Sequence, residues 1–262
     1  MTDEELLLLS SQGFIPGPAE SESDFSQRVA ETKLSMLKLG EEILPASHWD
    51  WVGLRLQKLF DFSPHCLPAF YSNRSLMPWQ GAAAWVERGR ILAIQLRVAL
   101  KKGSFLGLYQ REEILAHEAV HAARSAFPLD CWDEFFAYMT SNQAWRRALG
   151  PIVQRPWEVW PFLVFCVLSV LSPVGFLALG SWLGLGFFRL ITRHRILHKS
   201  ACHLQRQGCS EIQVRSILFR LTDQEIRKVA QGKVTWDAIL GDLKATPRGR
   251  LLSLAYSRLN HA

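Results

Sequence analysis

From Val159 to Phe188 the chain carries no charged side chain, in a run reading VWPFLVFCVLSVLSPVGFLALGSWLGLGFF. A helix needs about 20 apolar residues to cross a bilayer, and a domain of this size has too little interior to hide so long a run. Trp157, Trp160 and Trp182 suit the boundary between membrane and water. Pro173 divides the run and leaves two topologies open: a single kinked span, or a tight hairpin with Ser172-Pro173-Val174-Gly175 at its tip. Basic residues flank both ends, Arg146, Arg147 and Arg155 before it and Arg189, Arg193, Arg195 and Lys199 after it. The excess of Lys and Arg on cytoplasmic faces favours the hairpin, with both ends inside. A buried helical pair is the soluble alternative.

The rest of the chain divides around this run. Residues 1–28 are polar, with Pro16, Pro18 and the acidic stretch Glu20-Ser21-Glu22-Ser23-Asp24, and read as a flexible N-terminal arm with a brief helical start. Residues 29–150 read as a compact domain, 157–191 as a hydrophobic membrane segment and 192–262 as a basic, helical C-terminal region. The net charge of +6 suits an anionic partner, either nucleic acid or a lipid surface. The basic residues lack the interleaved aromatics of nucleic-acid modules, so a lipid bilayer is the expected partner and no nucleic acid. The cysteines, Cys66, Cys131, Cys166, Cys202 and Cys209, are odd in number and form no CxxC pair. The start, MTDEELLLLSSQGF, is acidic before a short apolar run, unlike a secretory signal. Reduced thiols and a cytoplasmic soluble part, at an inner or plasma membrane, are therefore expected.

Within residues 29–150 the pattern reads helix, irregular link, hairpin, helix, helix. Phe25, Val29, Leu34, Leu37 and Leu39 recur at roughly helical spacing over 25–43, and 49–61 is a second helix. Pro64, Pro68 and Pro78 make 62–80 mostly loop. Ala82 to Val86 and Ile91 to Val98 read as strands joined at Glu87-Arg88-Gly89-Arg90. In the second strand Leu92, Ile94, Leu96 and Val98 alternate with Ala93, Gln95 and Arg97, which predicts one buried face.

The segment 109–126, YQREEILAHEAVHAARSA, has no Gly or Pro and a continuous apolar face. It holds His117-Glu118-Ala119-Val120-His121. A four-residue gap places both imidazoles on one helix face, one turn apart. Two neutral imidazoles so placed can share one Zn²⁺. Glu118 then lies beside the ion, where a carboxylate can take a proton from a zinc-activated water. A pair of ordinary histidines on a helix is the bland alternative. A third ligand is required, and Glu134 is the candidate. Pro128 ends the first helix, and CWDEFFAYMTSNQAWRRAL begins a second one. Two antiparallel helices with a short link bring Glu134 back towards His121. Asp133 and Glu134 also suit a helix N-terminus for its dipole alone.

The motif His117-Glu118-x-x-His121, followed by Glu134-Phe135-Phe136-Ala137, resembles the gluzincin branch of the zincin metallopeptidases over residues 82–145. That resemblance implies His117, His121 and Glu134 as zinc ligands and Glu118 as general base. It also implies that the hairpin containing Ile91 to Val98 offers an edge for a peptide substrate. Gluzincins often carry an acid four positions after the ligand glutamate. Tyr138 stands there instead, a candidate to orient a ligand or to stabilise an oxyanion, or an ordinary core or surface tyrosine.

Beyond the apolar run, His194, His198 and Cys202 fall at four-residue steps. Arg193, Arg195, Lys199 and His203 crowd them with positive charge, so a helix lying on anionic headgroups is expected there and not a second metal site. Ser210 to Gln213 and Thr222 to Glu225 read as capping boxes of a small helical tail, and Arg248 and Arg250 as basic surface. The expected fold class is α+β: a mainly helical zincin-like domain with a small β-hairpin or sheet, then a transmembrane or re-entrant helical hairpin and a helical tail. The expected function is a membrane-associated, zinc-dependent metallopeptidase acting on a peptide or protein substrate. The alternative is a non-catalytic membrane protein that keeps a structural or degenerate zincin-like helix pair.

Overall fold

A computed structural model describes residues 1–38, 43–64, 67–87, 89–128 and 131–256. Leu39, Cys66 and Arg88 lie outside the described residues. The chain is mostly helical around one small mixed sheet, in line with an α+β class. Helices α1 (Asp3–Ser11), α2 (Glu22–Lys38) and α3 (Asp50–Phe60) precede strands β1 (Ala69–Tyr71), β2 (Ala82–Glu87) and β3 (Arg90–Leu96). A short ribbon, β4 (Ser104–Phe105) with β5 (Tyr109–Gln110), leads into α4 (Arg111–Ala123), α5 (Asp133–Met139) and α6 (Ala144–Leu149). Two apolar helices follow, α7 (Val159–Leu171) and α8 (Pro173–Arg206), then α9 (Glu211–Phe219), α10 (Asp223–Ala230), α11 (Trp236–Leu243) and α12 (Pro247–Tyr256).

The sheet order is β1-β3-β2, with β1 parallel and β2 antiparallel to β3. β1 escapes the sequence pattern because it has only three residues, just after Pro68. Its presence changes the role of β3. The Ile91 to Val98 strand is central and paired on both sides, so it is no substrate edge; the free edge of the hairpin is β2. α2 and α4 both pack against β3. Ile91, Ala93, Ile94, Gln95 and Leu96 are therefore all buried, whereas Leu92 and Val98 are exposed, which corrects the expectation of a single buried face. Gln95 is satisfied by donating to the Ser72 and Arg74 carbonyls and accepting from Trp85 Nε1, as a buried amide must be.

The expected flexible arm is instead folded onto the body. Thr2 and Glu5 close a capping box on α1, which packs on α12. Leu6, Phe14, Phe25, Val29 and Leu251 form one buried cluster. Arg250 reaches Asp3 and Glu22 across the two ends of the chain. The acidic stretch thus has cationic partners: Glu20 also holds the buried Arg28 at 2.7 Å. Arg248 is likewise no surface charge. It is 1% exposed and donates to both carboxylate oxygens of Glu225 and to the Arg220 carbonyl. Both tail capping boxes form as read, Ser210 with Gln213 and Thr222 with Glu225.

α7 and α8 make an antiparallel pair. Ser172 leaves the helical conformation, and its hydroxyl caps α8 by accepting from the Gly175 N–H at 3.1 Å. A Cβ on Gly175 would lie 2.2 Å from the Leu168 carbonyl oxygen, so only glycine permits this approach. α8 is long and apolar enough to cross a bilayer, and only 11% of its most apolar 18-residue window is buried. α7 has 13 residues, about 20 Å against the ~30 Å of a hydrocarbon core. The second half of α8 does not lie free on a surface as the sequence suggested. Leu190, Ser200 and Leu204 are buried, α10 packs along it, and the Ser200 hydroxyl donates to the Ile226 carbonyl at 2.8 Å. Of the flanking cations, Arg146 is also buried, paired with Glu113 at 3.1 Å, and Arg189 holds Glu158 at 2.9 Å.

Candidate metal centre

α4 is helical because nothing in Arg111–Ala123 interrupts it and Glu112 and Glu113 favour its first turn. Its apolar face, Leu115, Ala116, Ala119, Val120 and Ala123, is buried. His117 and His121 are only half-buried, and His117 lines a cleft. The chain turns after Ala123, and α5 returns alongside α4. The expected single helix over 131–149 is broken here, because residues 140–143 separate α5 from α6. Glu113 holds that break by accepting from the Ser141 hydroxyl, the Asn142 N–H and Arg146.

This arrangement brings His117, His121 and Glu134 together. The two Nε2 atoms are 3.3 Å apart. Glu134 reaches His117 and His121 with one carboxylate oxygen each, both at 3.5 Å. It is the one such His/Cys/Asp/Glu cluster among the described residues, with donor atoms all within 4.8 Å of one another. His198 and Cys202 meet at 3.5 Å but belong to no three-donor cluster among the described residues. Glu118 stands beside the cluster, and the Ala84 N–H of the free edge strand donates to its carboxylate.

Burial sets the electrostatics. It lowers the pKa of both histidines, that of His117 well below the ordinary 6.5, which keeps the imidazoles neutral and their lone pairs free. Burial also raises Glu118 to about 7. Burial, then Glu118 and Asp133, raise Glu134 to about 8. The sign of the resulting pH effect follows from proton counts. Each acid keeps its proton in the folded state above the ordinary 4.5, so stability falls as pH rises through that window. The histidines act oppositely, but only below their ordinary 6.5. Metal-free protein is therefore expected to lose stability between about pH 6.5 and pH 8, read as a falling urea midpoint. An equal or higher midpoint at the upper pH contradicts this electrostatic account.

Tyr138 lies with its ring edge-on to His117, centroids 4.8 Å apart. Gly150 makes room for it, since a Cβ there would meet the Tyr138 ring at 2.3 Å. Nothing in the local sequence around Gly150 announces this contact. Trp79 and Trp160 were also missed as cleft residues. Their rings meet at 6.0 Å and join the loop before β2 to the first turn of α7. They close one side of a cleft of about 450 Å³ that also contains His117, Glu118, Glu134 and Tyr138. No protein-family model, curated protein or solved structure matches this chain.

Proposed function

We propose that this chain is a membrane-attached, zinc-dependent metallopeptidase of gluzincin type, with His117, His121 and Glu134 as ligands and Glu118 as general base. The observation that carries the reading is the spacing of the three donors. Ligand atoms at about 2.0–2.1 Å from one tetrahedral ion lie about 3.3 Å from each other. Here the two Nε2 atoms lie 3.3 Å apart and each lies 3.5 Å from a different carboxylate oxygen of Glu134, and with one donor atom taken from each residue all three lie within 4.8 Å of one another. Neutral imidazoles and a carboxylate are the donor types zinc takes, and three protein ligands leave the fourth position that a catalytic site needs. Zinc held there would supply Lewis-acid polarisation of a peptide carbonyl and a water of lowered pKa.

The protein's own groups do the rest. Glu118 takes a proton from the attacking water and passes it to the leaving amine. Its carboxylate is oriented for this by the Ala84 N–H. β2 offers an unpaired backbone edge to an extended peptide, directly beside Glu118. Tyr138 fixes the His117 ring and has a hydroxyl available to a developing oxyanion. α7 and α8 anchor the domain, which lies on the cytoplasmic side. The test is metal content. Purified protein should carry about one zinc per chain, and His117→Ala and Glu134→Ala should each lose it, while His198→Ala keeps it. A folded native protein that takes up no zinc overturns the proposal.

A further inference from the structure

A second cavity, of about 670 Å³, is lined by α7, α8, the segment 152–158 and Arg227 of α10, within the size range of small-molecule sites. Its walls are apolar for most of their length, from Phe162, Trp182 and Leu185 to Ile196. From Trp182 to Ile196 it follows α8 for about 21 Å. Towards Ile196 the lining is also cationic, with Arg189 and Arg193 of α8 and Arg227 of α10.

These three arginines differ in their partners. Arg189 is held by both oxygens of Glu158. Arg193 and Arg227 form no ion pair among the described residues. Arg193 Nη1 is shielded from solvent and has no hydrogen-bond partner. Arg227 lies over the Trp132 ring at 5.2 Å and gives one N–H to the Cys131 sulfur at 3.8 Å. Asp223 acts electrostatically on Arg193; its Oδ2 accepts from the Cys131 N–H and thiol, and its Oδ1 is shielded from solvent without a partner. Three cations against Glu158 and Asp223 leave this end with one net positive charge. A shielded guanidinium N–H without an acceptor is costly, and a long apolar trough beside it has no reason to stay empty next to a membrane.

We infer that this cavity binds a single anionic amphiphile, its acyl chain along Phe162, Trp182 and Leu185 and its monoanionic head on Arg193 and Arg227. The head is a carboxylate or a phosphodiester, the two monoanions that offer acceptor oxygens to a guanidinium pair. Val153, Trp157 and Val159 line both this cavity and the cleft at His117, so these three residues separate the two. The inference does not depend on zinc or on catalysis.

The experiment is a native mass-spectrometry titration of the full chain, released from dodecyl maltoside, with oleate, dioleoylphosphatidylglycerol and dioleoylphosphatidylcholine. The native protein should take one equivalent of an anionic amphiphile in preference to phosphatidylcholine. Arg193→Gln with Arg227→Gln should weaken that binding about ten- to a hundredfold, the range for losing charge-assisted hydrogen bonds. Arg195→Gln, which removes an exposed cation from the same helix, should leave it unchanged. Binding of oleate alone assigns a free fatty acid, and binding of the glycerol phospholipid alone or of both assigns a membrane lipid. Equal binding of phosphatidylcholine, equal loss in the Arg195 variant, or an unchanged double variant overturns the inference. Thermal melts of the variants establish that any loss is not unfolding.

Discussion

Glu118→Gln should leave zinc bound and lower peptide hydrolysis by about 10²–10⁴-fold, the usual contribution of a positioned general base. The amide keeps the shape of the carboxylate, and its oxygen can still accept from the Ala84 N–H. It cannot take a proton from water. The proposed ligands His117, His121 and Glu134 are untouched by the change, so metal content separates this variant from His117→Ala, which should lose both zinc and activity. Hydrolysis is read with a fluorogenic peptide mixture, zinc by elemental analysis. A native protein that binds zinc but cleaves no peptide, at a rate no better than Glu118→Gln, favours a structural metal and ends the peptidase reading.

Arg124→Met is expected to be the most damaging change outside the site, costing about 3–5 kcal/mol. Arg124 is 2% exposed. Its guanidinium pairs with Asp133 at 2.5 Å, donates to the Phe219 and Leu221 carbonyls and lies over the Phe127 ring at 4.4 Å. One side chain thus ties the end of α4 to the start of α5 and to the end of α9. Methionine fills similar volume but strands Asp133 and two carbonyl oxygens. The thermal midpoint should fall by roughly 10 °C, and zinc affinity should fall with it, because Glu134 follows Asp133 on α5. Adding Asp133→Asn should recover part of the loss by removing the stranded charge. A midpoint within 2 or so degrees of the native one, roughly the effect of 1 kcal/mol or less, would falsify this role.

Much of the candidate centre is written locally. His117 and His121 converge because four residues make one helical turn, and Glu134 joins them because Pro128 and a short link force the next helix back. The hairpin tip at Ser172 is local too, since a serine cap before Pro173 starts a helix wherever it stands. The charges were read less well. Arg146 and Arg248 look like membrane-facing or surface cations in sequence, yet both are buried against acids, Glu113 and Glu225, that lie 33 and 23 positions earlier. No periodicity carries information about a partner at that range. The N-terminal segment follows the same logic: Leu6, Phe14 and Phe25 find cover with Leu251 of α12, at the other end of the chain, and Ile15 joins the main core.

The sequence by itself determined that His117 and His121 sit one turn apart on one helix face, because helical spacing is a property of neighbours. Only the tertiary structure decided what surrounds them. It put β3 in the centre and left β2 as the edge beside Glu118, because a three-residue strand from a proline-rich loop paired on the other side. It set Tyr138 on His117 through the space left at Gly150, and it closed the cleft with Trp79 and Trp160. These contacts join segments far apart in the chain, and close packing, which depends on shape and not on order, is what selects them.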